Sequence, residues 1–143
     1  MSVRESAMNY LARREHSRRE LEQKLLQKEF NAREISAALD QLIEDGLLSD
    51  ARFAESFVHA RQQRGSGPLK IQAELKQRGV DDTIISQYLD AQESCWYEQA
   101  CRARSKRFGE ALPEEYEQRA RQARFLQQRG FSHEQINVAL KSE

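Results

Sequence analysis

Three histidines and two cysteines are the residues best suited to metal or nucleophilic chemistry, and their spacing supports neither. His16, His59 and His133 stand far apart, and none has a cysteine or carboxylate at ligand spacing. Each reads as a surface or locally bonded imidazole. Cys95 and Cys101 fall on different faces of one predicted helix and form no CxxC pair. They read as reduced, buried thiols, which places the chain in the cytoplasm. The stretch RGSGPLK, residues 64–70, sets two glycines before a helix but lacks the GxxxxGK spacing of a phosphate loop. It reads as a turn, although the helix N-terminus behind it could touch a phosphate. No Ser-His-Asp set and no paired carboxylates can be assembled. The chain is expected to be no enzyme, with no catalytic residue, no metal and no cofactor.

What remains is charge. The 23 basic and 23 acidic residues cancel, but they are unevenly placed. Arginine, the side chain suited to bidentate contact with carboxylate or phosphate, accounts for 17 of the 23 basic positions. Residues 4–28 hold seven basic against four acidic side chains; 29–50 reverse the balance to one against six; 102–129 hold eight against four. Solvated helix faces with pairs such as Glu20 and Lys24 explain any one of these charges, but the banding predicts a polarised surface. Two side chains stand out. Phe125 lies nearly opposite a stripe of Tyr116, Ala120, Ala123 and Leu126, so it packs on a neighbouring repeat or offers a partner contact. Arg61, one turn beyond Phe57 on an apolar stripe, is a snorkelling structural arginine or a ligand contact.

The elements that would carry these residues repeat. ELEQKLLQKEFNAREISAALDQL, KIQAELKQRGVDDTIISQYLDAQ and RQARFLQQRGFSHEQINVALKSE superpose with four apolar anchors in register. Leu25, Leu75 and Leu126 correspond, then Phe30, Val80 and Phe131, then Ile35, Ile85 and Ile136, then Leu39, Leu89 and Leu140. Such a period marks a helical repeat array. Three repeats of three helices are expected, over residues 1–48, 49–92 and 93–143, all-α, in one continuous, elongated and curved array. Its radius of gyration should exceed the ~14–15 Å of a compact chain this long. Only 38% of the residues are hydrophobic, which suits amphipathic helices with wide solvated faces.

Helix ends are marked by chemistry. Ser17 with Glu20, Asn31 with Glu34 and Ser132 with Gln135 read as capping boxes. Gly46, Gly79 and Gly130 follow helical runs and supply positive φ. Pro68 and Pro113 suit a first helical turn. Asp50 would cap the helix that carries Phe53 and Phe57, and a third repeat would start near Ser94, with Trp96 and Tyr97 in its first turn. No apolar run reaches the ~18 residues of a membrane span, and no signal sequence opens the chain.

The run Gly46-Leu47-Leu48, Asp50, Phe53, Ala54, Phe57, Arg61, Gly65, Gly67-Pro68, Ile71, Leu75, Gly79-Val80 resembles the signature of the RecX regulatory proteins. YLARREHSRRELEQKL and RFLQQRGF are similar to the family's first and third repeats. Leu47 and Ser49 depart from the family's usual residues, which bears on packing and capping. The resemblance implies a bacterial regulator that lodges in the groove of the RecA recombinase filament, blocks its extension and promotes its disassembly. ATP hydrolysis, strand exchange and repressor cleavage would all fall, and with them DNA repair and the SOS response would be modulated.

The family supplies no agreed contact residues, so candidates come from this sequence: Arg61, Arg64, Lys70, Arg102, Arg104, Arg107, Arg121 and Arg124, with Phe125. They would face the filament and meet DNA phosphate, recombinase carboxylates or both. The partner is then the recombinase filament, with single-stranded DNA bound weakly or through the filament, by a protein expected to be a monomer. Two rival readings stand beside this one. The first is a helical module that binds nucleic acid directly, as three-helix units do in helix-turn-helix domains; the absence of net charge speaks against it. The second is a repeat scaffold for some other protein.

Overall fold

Nine helices follow one another with no strand among the described residues, which in this computed structural model are 1–141. They are α1 (Val3–Arg13), α2 (Arg18–Gln27), α3 (Ala32–Glu44), α4 (Asp50–Gln63), α5 (Pro68–Gln77), α6 (Asp82–Tyr88), α7 (Cys95–Phe108), α8 (Tyr116–Arg129) and α9 (His133–Leu140). They group as three three-helix repeats, and the anchors do what their spacing requires. Leu25, Leu75 and Leu126 are fully buried, and the rest of the series is buried too, except the half-buried Phe30. Removing one such leucine would cost about 2–5 kcal/mol.

The helix ends follow local rules, with corrections. Reciprocal capping boxes form at Ser17–Glu20 and Ser132–Gln135, and a further one at Ser2–Glu5 starts α1. At Asn31 only half of the expected box exists: its side chain accepts from the Arg33 and Glu34 N–H groups, without the return bond. Ser49, not Asp50, caps α4, accepting from Arg52 N at 3.1 Å. Asp50 instead accepts from Arg18 N at 2.8 Å and so caps α2 from the neighbouring repeat. Pro68 opens α5 as expected, but Pro113 does not open α8, which begins at Tyr116. The chain before it is held at Glu110 and Ala111, whose carbonyls Arg104 binds. Gly79 and Gly130 have φ of 80° and 101°. At the matching position of the first repeat stands Glu29, the non-glycine residue with positive φ (67°).

Packing divides the chain into two compact units. The first comprises Met1–Phe57 with Leu75–Tyr88. Its core joins Val3, Ala7, Leu21, Leu25, Ile35, Leu39, Leu42 and Leu48. Within it the end of α5 sits on the start of α2: Ser17 Oγ donates to Arg78 O at 2.8 Å, and the side chain of Arg78 reaches Glu20 at 3.3 Å and lies over the Phe57 ring. Of the two expected settings for His16, surface or locally bonded, the second holds, and the ring is buried at 1% exposure. Its Nδ1 lies 3.1 Å from Arg14 O and its Nε2 2.9 Å from Lys24 Nζ. A neutral ring that donates from Nδ1 leaves Nε2 free to accept from the ammonium. Burial pushes its pKa down, and the nearby Arg14 and Lys24 charges add to that.

The second unit comprises Val58–Glu74 with Leu89–Glu143. Here the same joint is made by backbone. Gly67 N donates to Arg129 O at 2.6 Å and Leu69 N to Gly130 O at 2.9 Å. A Cβ on Gly67 would stand 2.5–2.6 Å from backbone atoms of Gly130 and Phe131, so only glycine permits the approach. In α8 the buried side chains are Gln122 and Leu126, whereas Tyr116, expected on that stripe, is 84% exposed. Cys95 and Cys101 are free thiols, as expected, but half-buried rather than buried. Burial pushes the Cys95 thiol up, away from reactivity.

Candidate functional site: a basic cleft in the second unit

A cleft of about 440 Å³ opens in the second unit, between the end of α4, one face of α7 and the last two turns of α8. The walls follow from helical spacing. Gln99, Arg102, Ala103, Lys106 and Arg107 recur three and four apart on α7, and Phe125 and Arg129 lie one turn apart on α8. Gln62, Gln63, Arg64 and Gly65 close the third side. Gly65, at φ 91°, ends α4 and turns the chain toward α5.

The cleft has an aromatic floor that holds cations. Phe125 meets Phe108 edge-on, with centroids 5.3 Å apart at 87°. The Arg129 guanidinium lies 4.9 Å from the centre of the Phe125 ring and that of Arg107 5.8 Å from it. Each such stack is worth about 0.5–1 kcal/mol at an exposed site and restricts where the guanidinium can point. Arg129 also donates to Arg64 O at 3.2 Å, so a cation satisfies a carbonyl just beyond the C-terminus of α4. Five cations line the cleft and no carboxylate does. Among the described residues Arg64, Arg102, Lys106 and Arg107 have no ion-pair partner.

The structure sorts the sequence's candidates. Arg64, Arg102, Arg107 and Phe125 come together here. Phe125 packs against Phe108 of its own repeat, and it lines the cleft as well. Arg104, expected to face outward with its neighbours, is buried at 4% exposure. It donates to Ala111 O and Gln122 Oε1 from one nitrogen and to Glu110 O from the other. Its place one and two turns beyond the buried Ala100 and Trp96 explains this. Arg61 lies 3.4 Å from Glu74, an ion pair with both side chains about three-quarters buried, which favours the structural reading. Lys70, Arg121 and Arg124 are exposed but do not line the cleft. Sequence reasoning passed over Lys106 and Arg129, although each stands one turn from a residue it selected.

Among the described residues no group of three or more His, Cys, Asp or Glu could hold a metal ion, and no helix is long and apolar enough to cross a membrane. Known proteins match the chain throughout. Family models for the first, second and third three-helix domains of RecX match residues 4–42, 49–89 and 93–140. The regulatory protein RecX of Halorhodospira halophila is 46% identical over 138 residues, covering 96% of this chain and 86% of that protein. That of Pseudomonas savastanoi pv. phaseolicola is 45% identical, covering 98% and 90%. The crystal structure of RecX from Lactobacillus salivarius superposes with a TM-score of 0.78 at 25% identity, over 96% of this chain and 91% of that one. A second RecX crystal structure, 20% identical, shares the fold with a TM-score of 0.83, over 96% of this chain and 70% of that one. With all three helical repeats matched in order, the chain belongs to the RecX family of regulatory proteins.

Proposed function

We propose that the protein is a cytoplasmic, monomeric, non-enzymatic regulator of the RecA recombinase that binds the recombinase–single-stranded DNA filament in its groove. It inhibits filament extension, ATP hydrolysis, strand exchange and coprotease activity, and so modulates DNA repair and the SOS response. The observation that carries the reading is the cleft: a chain with no net charge keeps unpaired cations together on one face. Such a face suits a surface that presents phosphates and carboxylates. Arg64, Arg102, Lys106, Arg107 and Arg129 are assigned the contact, with Lys70, Arg121 and Arg124 flanking it; Arg61 and Arg104 hold the structure behind it.

The test is inhibition of the recombinase ATPase on single-stranded DNA. The double variant Arg102→Glu/Arg107→Glu should weaken inhibition by at least about tenfold, the equivalent of ~1.4 kcal/mol, with helix content unchanged. Arg33→Glu, a single charge reversal in the first unit, should inhibit as the unaltered protein does. Equal inhibition by the double variant would remove the cleft from the contact. The rival reading, a direct nucleic-acid module, predicts something else. In that case the protein would bind naked single-stranded DNA as tightly as the filament, and both would weaken steeply with salt through counterion release.

A further inference from the structure

The size of the cleft and its charge do not match a passing polynucleotide strand alone. Its volume, about 440 Å³, lies toward the lower end of small-ligand sites, ~300–1,000 Å³. Five cations converge on it, and no lining residue is acidic. A phosphodiester brings one negative charge, whereas a terminal phosphoryl group brings about 1.5 to 2 near neutral pH. A space this small admits few diesters, too few to offset its walls. A chain of phosphoryl groups ending in a free phosphate does so within the same volume.

The donors suit that ligand. Arg107 and Arg129 lie over the Phe125 ring, so their guanidinium groups are already placed at the cleft. Among the described residues Arg102, Lys106 and Arg64 have no ion-pair partner to leave. Gln62, Gln63 and Gln99 add amide N–H donors at the rim. With two guanidinium groups over its ring, Phe125 serves as a support for cations rather than as a platform for a base.

We propose that this cleft is a binding site for a compact polyanion of the triphosphate class, the phosphoryl chain of a nucleoside triphosphate or of inorganic tripolyphosphate, taken without regard to the base. The site stands on the geometry of the second unit and does not depend on the recombinase reading.

The full chain is titrated by calorimetry with inorganic tripolyphosphate, ATP and AMP in buffer free of divalent ions, and then with a short oligodeoxythymidylate in the presence and absence of tripolyphosphate. Tripolyphosphate and ATP should saturate at one per chain, with AMP at least about tenfold weaker. Tripolyphosphate should displace the oligonucleotide. Arg102→Glu/Lys106→Glu should weaken tripolyphosphate at least about tenfold, and Lys106→Gln, which removes one charge without reversing it, should weaken it measurably at an unchanged melting temperature. Arg33→Glu should leave it within about twofold. No saturable binding of tripolyphosphate, equal binding of AMP and ATP, an oligonucleotide that tripolyphosphate cannot displace, or binding untouched by Lys106→Gln would each overturn the proposal. An unaltered chain that inhibits the filament but binds no polyanion would overturn this proposal alone; one that binds the polyanion but does not inhibit the filament would overturn only the recombinase reading.

Discussion

The two units use most of their arginines differently. In the first, Arg4 meets Asp45, Arg14 and Arg78 share Glu20, Arg18 meets Asp40 and Arg52 meets Glu15, at 2.8–3.3 Å. These pairs tie helices to one another or to the residues just beyond helix ends, and each is worth at most about 1 kcal/mol where exposed. In the second, Arg102, Lys106 and Arg107 lie together over a cleft with no carboxylate to meet. Bringing like charges together is unfavourable unless something else offsets it. Overall neutrality thus conceals two uses of arginine: five in the first unit are paired internally, whereas a group in the second lies together along a cleft that no carboxylate lines.

The sharpest way to break this contrast lies at Arg104, a second-unit arginine used as the first unit uses its own. Arg104→Ala should lower stability by roughly 1.5–3 kcal/mol, the scale of lost hydrogen bonds to a charged group, because it frees the Glu110 and Ala111 carbonyls and Gln122. Arg102→Ala, two residues away and exposed, should stay within about 0.5 kcal/mol. Urea unfolding of the two variants decides it; equal effects would mean that Arg104 is not structural. Any triple charge reversal at Arg102, Arg104 and Arg107 would therefore confound folding with binding.

The joints give the next test. Gly67→Ala should cost about 1–3 kcal/mol, the range for overpacking, since its Cβ meets the backbone of Gly130. Ser17→Ala at the matching joint of the first unit removes the bond to Arg78 O and the α2 cap together, for about 1–2 kcal/mol. A Gly67→Ala chain as stable as its parent would show that the second joint is looser than its distances.

Acidification should act on the first unit. His16 has its pKa held below the ordinary 6.5 by burial, so the unfolded chain takes up this proton first. The stability linked to it is present above that value and is lost as pH falls through it toward the folded pKa. Glu20 adds to the loss further down: burial alone would raise its pKa, but bonds from Arg14 and Ser17 N bring it below the usual 4.5. Thermal melting between pH 7.5 and 5.5 should show the decline, and His16→Gln should flatten it; an unchanged slope would remove His16 as the cause. The smallest effect is a gain. Glu29 holds positive φ where the other repeats have glycine, and Glu29→Gly should raise stability by about 0.5–1 kcal/mol, part of the ~1–2 kcal/mol left-handed penalty. A loss on urea unfolding would show that Glu29 makes some offsetting contact.

Much of the fold was legible because it rests on local rules. The anchor series Leu25, Leu75 and Leu126, the boxes at Ser17 and Ser132, and the glycines at 79 and 130 each declare themselves within one turn of helix. What escaped was non-local. Nothing near Asp50 shows that it will cap a helix of the neighbouring repeat, and nothing near Pro113 shows that an arginine will hold the two residues before Leu112. The site was half legible for a related reason. Arg102, Arg104 and Arg107 look alike in a charged run, and only the stripe from Trp96 through Ala100 separates the buried one from the others. Tyr116 misled in the opposite sense, as an aromatic on a periodic face that the late start of α8 leaves uncovered.

The order in which the chain fills its two units sets a limit on dissection. It passes from the first to the second after Phe57, returns after Glu74 and leaves again after Tyr88. No single cut yields two self-sufficient halves. A fragment stopped at Tyr88 would carry Val58–Glu74 stripped of the residues they pack with, and a fragment begun at Leu89 would lack Gly67 and Leu69, the donors to Arg129 and Gly130. Truncation by repeat, the natural experiment on a tandem array, would thus produce misassembled pieces rather than modules.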